Sequence, residues 1–375
     1  MRIIYGLLCL CFLIFFHELG HFIFAKLFGV VVEAFSIGFG PVLLHKKIND
    51  TDYRLSLIPL GGYCAMKGEK DFIKALENDL PFIDGEKDSL YGIHRFKRII
   101  IAFAGPFFNL LFSYIGFTII AIAGYSYYSY SNQIKLATDS YPEIQSPAKD
   151  AGIMSGDVII KINNSEIKNF SDIVEQVSLR PDENIKISYI RNGIVNEVVV
   201  HTLLDKSTGI GKIGIMAIPD TISKYDSKKY TFFPALIQGM KECIKGIKTT
   251  IKGFFTLFKG IDLSNTVSGP ARIADMMGNV IQDSFSENFK AGIVNMLSFM
   301  GIISISLFIM NLLPFPILDG GLILIAFIEL ITNRKLSPKI LYYFQLAGIF
   351  IIAILFLIGL NGDIKYFSSI FKGKF

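Results

Sequence analysis

Four long apolar stretches constrain the fold of this chain more than any other feature. The first, Ile3–Phe28, contains few charges, and the other three contain none: Ile99–Gly124, Ala291–Leu318 and Ile340–Gly362. Each exceeds the roughly 20 residues that a helix needs to cross the hydrocarbon of a bilayer. Hydrophobic residues make up 51% of the chain and charged residues 18%, which is typical of membrane proteins. The sequence predicts a polytopic α-helical membrane protein with four transmembrane helices.

The first stretch is predicted to remain in the protein as a spanning helix over residues 1–28. It begins like a signal peptide, with Arg2 before an apolar run. However, no A-x-A-like cleavage site follows, and the run continues through to Phe28.

This first span contains the sequence HELGH at residues 17–21. His17 and His21 are four residues apart, so on a helix they share one face and can bind one zinc ion. Glu18 lies beside them, where it can act as a general base. Polar groups in hydrocarbon are costly and are usually functional. The motif therefore predicts metal-dependent hydrolysis of a substrate that is itself in the membrane.

A third ligand is expected, because catalytic zinc usually has three protein ligands and a water molecule. The third apolar stretch runs into NLLPFPILDGG, which places Asp319 at its end. His21 lies seven residues from Phe28, a depth of about 10 Å, which is compatible with that position. Pro314 and Pro316 should break the helix, and such a break is tolerated where it lines a cavity. The alternative is that Asp319 only caps the short helix that follows.

Basic residues at the ends of the spans predict the orientation. With four spans, one face of the membrane receives Lys26, Arg95, Lys97, Arg98, Arg334, Lys335 and Lys339, which the positive-inside rule makes cytoplasmic. Arg2, Lys372 and Lys374 fall on the other side. Both termini, and the region between the second and third spans, are then predicted to lie outside the cytoplasm.

Residues 29–98 are predicted to form a membrane-associated β-loop and a cytoplasmic loop. VVVEAFSIGFG and YRLSLIPLGGY are typical of strands, whereas residues 67–94 are polar. A strand edge beside the metal could bind an unwound substrate by β-addition, which would expose a peptide bond for attack. An ordinary cytoplasmic hairpin is the alternative.

Two further segments lie between the second and third spans. Residues 132–205 contain SPAKDAGIMSGDVIIKINNSEI and a turn at Asn192-Gly193, a pattern similar to that of PDZ domains, although a purely structural β-domain remains possible. Residues 228–262 place Lys241, Lys245, Lys248, Lys252 and Lys259 on one helical face. This pattern predicts an amphipathic interfacial helix, with an ordinary solvated helix as the alternative.

These motifs together resemble the site-2 protease family of intramembrane zinc metalloproteases, and within it the bacterial regulator-of-sigma-E protease branch. The matching segments are HELGH at 17–21, GFGP at 38–41, PLGGY at 59–63, AGPFFN at 104–109 and NLLPFPILDGG at 311–321. The resemblance implies a fold with four spans, a membrane-associated β-loop and an inserted extracytoplasmic PDZ domain. This chain has room for one PDZ domain, where the best-known members of the branch have two.

The resemblance also implies the roles of individual residues. His17, His21 and Asp319 would bind Zn²⁺, and Glu18 would be the catalytic base. Asn311 would lie near the active site and help to hold the substrate strand or the oxyanion. Asn109 would lie close to the zinc helix, in substrate binding or, alternatively, in interhelical hydrogen bonding.

The implied partners are single-span membrane proteins of the anti-sigma-factor type, already trimmed by an upstream protease, together with signal-peptide remnants and membrane lipid. The implied location is the bacterial inner membrane. The four cysteines, Cys9, Cys11, Cys64 and Cys243, show neither disulfide nor zinc-ligand spacing. No pattern suggests nucleic-acid binding. The alternative function is a non-proteolytic, metal-binding membrane scaffold or transporter that recruits partners through its PDZ domain.

Overall fold

The computed structural model describes residues 2–262 and 268–372. The helices in this part of the chain are α1 (Arg2–Leu27), α2 (Glu69–Glu77), α3 (Arg95–Ala123), α4 (Pro147–Asp150), α5 (Phe170–Ser178), α6 (Phe232–Thr256), α7 (Pro270–Glu287), α8 (Phe289–Leu312), α9 (Asp319–Thr332) and α10 (Pro338–Lys372). The strands are β1 (Val32–Ile48), β2 (Thr51–Met66), β3 (Ser126–Ser129), β4 (Ile134–Leu136), β5 (Val158–Ile162), β6 (Ser165–Glu166), β7 (Asn184–Arg191), β8 (Ile194–His201), β9 (Leu203–Leu204), β10 (Gly211–Lys212), β11 (Ile215–Ala217) and β12 (Ser223–Asp226).

Within the described residues, four helices are long and apolar enough to cross a membrane: α1, α3, α8 and α10. The prediction of four spanning helices is confirmed. The contact pattern divides the chain into two units. The first contains all four spans and consists of the chain up to Ala123, Tyr230–Thr250 and the residues from Ser268 onward. The second consists of Gly124–Lys229 and, among the described residues, 251–262.

The ends of the third and fourth spans differ from the predicted ones. The third helix ends at Leu312 instead of Leu318, because Leu313 adopts an extended conformation before Pro314. The fourth continues past Gly362 to Lys372. Its Asp363 is buried and accepts hydrogen bonds from the backbone amides of Gly269 (2.8 Å) and Ala271 (3.1 Å) at the start of α7. A charged residue therefore marks the end of the apolar stretch but not the end of the helix.

Helix α7 was not predicted. Its apolar residues face inward, and Met277 and Ile281 join a core that includes Leu13 of α1. Two glycines allow α1 and α7 to approach closely. A Cβ atom at Gly6 would lie 1.9 Å from the Ala274 carbonyl oxygen, and one at Gly278 would lie 2.0 Å from the Arg2 carbonyl oxygen.

Strands β1 and β2 form an irregular antiparallel hairpin that folds back on itself. Near the turn, Ile48 pairs with Thr51. Further along, Phe35 has Tyr53 on one side and Cys64 on the other. Residues 62–66 thus form an outer strand, which pairs with 32–37 and, among the described residues, with no second strand.

The second unit contains the predicted β-domain. Strands β6, β5, β7 and β8 form one sheet in that order, and β7 and β8 are joined by the predicted Asn192-Gly193 turn. Helix α5 begins with a capping box in which Asn169 accepts a hydrogen bond from the Asp172 amide, and its Ile173 and Val177 are buried in the core. The unit extends beyond the predicted 132–205, because β11 pairs with β4 and β12 pairs with β3.

Helix α6 occupies most of the predicted amphipathic segment 228–262. Its buried face carries small residues at four-residue spacing, namely Ala235, Gly239 and Cys243. A Cβ atom at Gly239 would lie 2.3 Å from the Thr118 side-chain oxygen, so this face packs against α3. Lys241, Lys245 and Lys248 are exposed. An interfacial location of this helix remains a prediction.

Candidate metal centre and active site

The two histidines of HELGH meet Asp319 as the sequence predicts. The Nε2 atoms of His17 and His21 lie 3.2 Å apart. Oδ2 of Asp319 lies 3.2 Å from Nε2 of His17, and Oδ1 lies 3.2 Å from Nε2 of His21. Ligands at about 2.0–2.1 Å from a tetrahedral zinc ion are separated by about 3.3 Å. The spacing of these three groups therefore fits a single zinc ion.

Helix α3 orients both imidazole rings. Nδ1 of His21 lies 2.8 Å from the carbonyl oxygen of Ile101, so Nδ1 carries the proton and Nε2 keeps its lone pair for a metal. Nδ1 of His17 lies 3.0 Å from the Asn109 carboxamide nitrogen, and the Asn109 Oδ1 atom has no partner. With the amide turned over, Oδ1 would accept a hydrogen bond from the Nδ1–H of His17, and Nε2 of His17 would keep its lone pair in the same way.

Asn109 is fully buried and does not belong to the residues that line the active-site cavity. Its backbone oxygen accepts a hydrogen bond of 2.8 Å from Ser304, which joins α3 to α8, and one of 3.1 Å from Ser113 within α3. This position favours the interhelical alternative over direct contact with a substrate.

Gly105 provides the space in which the histidines meet. A Cβ atom at Gly105 would lie 2.2 Å from Nε2 of His21 and 2.8 Å from Cε1 of His17. Gly20 allows the helices to approach, since its Cβ atom would lie 2.3 Å from the Ala104 carbonyl oxygen. The adjacent Pro106 lacks an N–H and so removes the α3 hydrogen bond to the Ala102 carbonyl, next to Ile101.

Asp319 is brought to the histidines by the break in the third span. The irregular segment 313–318 turns the chain back, and Ile317 has a φ of 77°, which is strained for a β-branched residue. Cβ atoms at Gly320 and Gly321 would lie 2.2 Å from the carbonyl oxygens of Leu313 and Phe315, so both must be small.

The Asp319 side chain does not cap α9, which begins with no side-chain cap. Its Oδ2 atom is buried and accepts no hydrogen bond from the part of the chain that the structure describes. A buried carboxylate oxygen in this state fits a cation better than it fits a helix cap.

Glu18 lies beside the histidines and outside the trio of ligand atoms. Together with Asn311 it lines a cavity of about 710 Å³. The lining of this cavity also includes Tyr63, Cys64 and Met66 from the outer strand of the hairpin. The backbone amide of Cys64 is within hydrogen-bonding range of the Glu18 carboxylate. One cavity is thus shared by the predicted base, the predicted zinc ligands and the edge of the outer strand.

Sequence reasoning missed a buried ion pair that includes Arg98, one of the residues that line this cavity. Arg98 Nη1 lies 2.8 Å from Glu329 Oε2, and the two side chains are only 12% and 4% exposed. The other oxygen of Glu329 accepts a hydrogen bond of 2.9 Å from the Leu336 amide. The one available signal was a glutamate within the apolar segment GGLILIAFIELI, where an unpaired charge would be costly.

Comparison with known proteins shows the family of the chain. The profile of peptidase family M50 matches residues 5–355. The chain belongs to peptidase family M50. The match spans both metal-binding motifs and all of the second unit.

Relatives align with this chain over nearly their whole length. A protein of Treponema pallidum is 32% identical over 446 aligned residues, covering 98% of this chain and 99% of the relative. Proteins of Borreliella burgdorferi (32% identical; 99% and 100% covered) and Campylobacter jejuni (33%; 96% and 92%) are similar. All three are named "Putative zinc metalloprotease". The protein is therefore a multi-pass membrane metalloprotease with zinc as its cofactor.

Among solved structures, the chain is similar to a PDZ domain of an SdrC-like protein from Listeria monocytogenes. The match covers 24% of this chain and 88% of that domain, at 22% identity and a TM-score of 0.19. The likeness is too weak to decide the ligand of the second unit. The closer resemblance to the regulator-of-sigma-E branch also stays a prediction.

Proposed function

We propose that this M50 metalloprotease is an intramembrane endopeptidase, which cleaves the transmembrane segments of single-span proteins after an upstream protease has trimmed them. The observation that carries this proposal is the meeting of His17, His21 and Asp319 beside Glu18, with both histidines inside a membrane-spanning helix. A hydrolytic centre at this position is suited to peptide bonds that are themselves within the membrane.

His17, His21 and Asp319 would hold the zinc ion, and Asn109 and the Ile101 carbonyl would hold the two rings in place. Bound zinc lowers the pKa of a water molecule towards about 7 and polarises the scissile carbonyl. Glu18 takes a proton from the attacking water and delivers it to the leaving amine. Asn311, which lines the same cavity, can donate a hydrogen bond to the oxyanion or to the substrate backbone.

The outer strand of the hairpin offers a way to present the substrate. A transmembrane helix hides its peptide bonds in internal hydrogen bonds, so it must be extended before water can attack. Residues 62–66 have one unpaired edge and contribute Tyr63, Cys64 and Met66 to the cavity wall. An unwound substrate added along this edge would place a peptide bond next to Glu18.

The second unit would select the substrates. As a PDZ-type domain it would bind chain ends or strands by edge addition. Substrates of the anti-sigma-factor type and signal-peptide remnants are both consistent with such selection, and the inner membrane would be the site of action. The spirochaete relatives align over 446 and 452 residues, more than the 375 of this chain, so they contain additional segments. A single PDZ domain would filter substrates less strictly than two.

The test is cleavage of a tagged, pre-trimmed single-span substrate co-expressed with the protease, followed by immunoblotting. We expect Glu18→Gln to lower the cleavage rate roughly 100- to 10,000-fold while purified protein keeps its zinc. Glu33→Gln makes the same chemical change at an exposed residue of β1 and should cleave normally.

Equal cleavage by wild type and Glu18→Gln would remove Glu18 from the mechanism. No cleavage by either, with zinc bound, would argue against this substrate class, and a panel of signal-peptide remnants would then be tested. Failure of both substrate classes would overturn the proposal that this metalloprotease cleaves the transmembrane segments of single-span proteins.

A further inference from the structure

A second cavity lies at the charged ends of the spanning helices, apart from the metal centre. It has a volume of about 340 Å³. Its walls come from the segment that leads into α3 and from the loop between α9 and α10, and they include His94, Arg95, Arg98, Glu329, Lys335 and Leu336.

The charges in this cavity do not balance. Arg98 is neutralised by Glu329. By contrast, Arg95 Nη1 donates to the amide oxygen of Asn333 at 2.9 Å, and Lys335 Nζ donates to the Ile83 carbonyl oxygen at 3.1 Å. Both acceptors are neutral, and neither cation is paired with a carboxylate among the described residues. The cavity thus fits an anionic group with several oxygen acceptors, such as a phosphate.

The surroundings identify the source of that phosphate. Arg95 is the first residue of one spanning helix, and Lys335 lies just before another, which begins at Pro338. The neighbouring apolar side chains of Phe96, Ile331 and Ile340 are 55%, 68% and 55% exposed. They form an apolar surface on the membrane-spanning part of the molecule, where acyl chains would lie.

We propose that this cavity binds the phosphate headgroup of an anionic phospholipid, with Arg95 and Lys335 as its cationic ligands. The occupant would join the start of α3 to the loop between α9 and α10. Arg98 and Tyr91, whose guanidinium and ring centre are 5.1 Å apart, line both this cavity and the active-site cavity. The lipid would therefore lie against the same wall that closes the active site. The proposal does not depend on the substrate class.

Native mass spectrometry of the full chain in a neutral detergent tests this site, with phosphatidylglycerol as the anionic probe and phosphatidylcholine as the neutral one. We expect discrete phosphatidylglycerol binding and little phosphatidylcholine binding. The double variant Arg95→Gln/Lys335→Gln should bind phosphatidylglycerol roughly 10- to 30-fold more weakly, because each basic residue contributes on the order of fivefold. Lys335 is exposed, so the single variant Lys335→Gln should fold normally. It should lose part of the phosphatidylglycerol binding that the double variant loses.

The matched control is Arg334→Gln. Arg334 is the exposed neighbour of Lys335 and does not line the cavity, so this variant should bind lipid like the wild type. An equal loss in Arg334→Gln, or no loss in the double variant, would show that attraction is spread over the surface and would overturn the site. Displacement of the lipid by millimolar inorganic phosphate would show a free-anion site and overturn its assignment to lipid. Zinc content, measured in every variant, reports on folding.

Discussion

Gly105 shows how a single missing side chain makes the metal centre possible. Helix α1 positions the two histidines. Their rings lie against α3 at Gly105, where a larger residue would place its side chain. Any side chain there would enter the space of His21 Nε2, and the nearest atoms belong to a rigid ring rather than to a flexible chain end. Moving α3 away would break the close contact between Gly20 and Ala104.

We therefore expect Gly105→Ala to weaken zinc binding about 10- to 100-fold and to reduce proteolysis correspondingly. Gly116→Ala is the control in the same helix, since its Cβ atom would meet nothing closer than the Leu297 carbonyl oxygen at 3.8 Å. Zinc affinity, measured by competition with a chelating dye, checks the prediction. Normal zinc affinity in Gly105→Ala would mean that the rings can rearrange more freely than this packing allows.

The roles of some single residues follow from local spacing, whereas others depend on a contact between helices. HELGH identifies two ligands and a base because helical spacing is a local property. The role of Asn109 depends on which atom of His17 it meets, and that is decided by the crossing of α1 and α3. The family resemblance placed Asn109 near the zinc helix but left open whether it contacts a substrate or makes an interhelical hydrogen bond.

At the scale of elements, α9 is the piece whose position matters most, because its first residue is Asp319. The preceding segment 313–318 is irregular and contains the strained Ile317. Ten residues further along α9, Glu329 is paired with Arg98 of α3, the same helix that orients His21. The pair fixes the far end of α9 relative to α3, and the tight packing of Pro316 against Gly348 of α10 fixes the near end.

We expect Glu329→Gln to destabilise the protein by about 3–5 kcal/mol, because it leaves the Arg98 charge buried without its partner. Gln keeps an oxygen for the Leu336 amide, so the change isolates the charge. The double variant Arg98→Met/Glu329→Met should recover most of the loss. Chemical denaturation in detergent measures both. If the double variant is as unstable as Glu329→Gln, the loss of stability does not come from the unpaired Arg98 charge, and the prediction is wrong.

A second prediction at this scale concerns the loop between β9 and β10. The Asp205 carboxylate accepts hydrogen bonds from Lys212, Ser207 and Thr208, and these contacts lower the pKa of Asp205 well below its usual value. A carboxyl group whose pKa is lower in the folded state stabilises the fold above its unfolded pKa, near pH 4, and the stabilisation is lost as the pH falls further. Hydrogen-exchange protection of residues 203–212 in the full chain should therefore decrease on acidification.

In Asp205→Asn this protection should already be lower at neutral pH and should depend less on acidification. Asp220→Asn, at an exposed position of the same unit, serves as the control. Identical pH dependence in wild type and Asp205→Asn would contradict the assigned role of this carboxylate.

For the whole molecule, four spans and a basic cluster at one set of span ends predict the topology. The second unit and both termini should lie outside the cytoplasm, and the segments 67–94 and 333–337 inside. Alkaline phosphatase fused after residue 205 should be active, and green fluorescent protein fused after Gly85 should be fluorescent. The opposite pattern would invert the topology and place the cationic cavity on the outer face.

The sequence by itself determined the four spans, the HELGH helix and the β-domain inserted between spans. Each follows from local properties: the length of an apolar run, the helical repeat, or turn residues between alternating strands. Helix α7 was not predicted because polar residues lie between its apolar residues Met277 and Ile281. These two residues are buried only because they pack against α1 and α8.

Only the tertiary structure brought Asp319 to the histidines, cleared the space at Gly105, placed Asn109 on His17 and paired Arg98 with Glu329. In each case the partners are far apart in the chain, so no periodic pattern connects them. What decides these contacts is close packing: glycines allow helices to approach, and a buried charge or imidazole nitrogen is stable only where another helix supplies its partner.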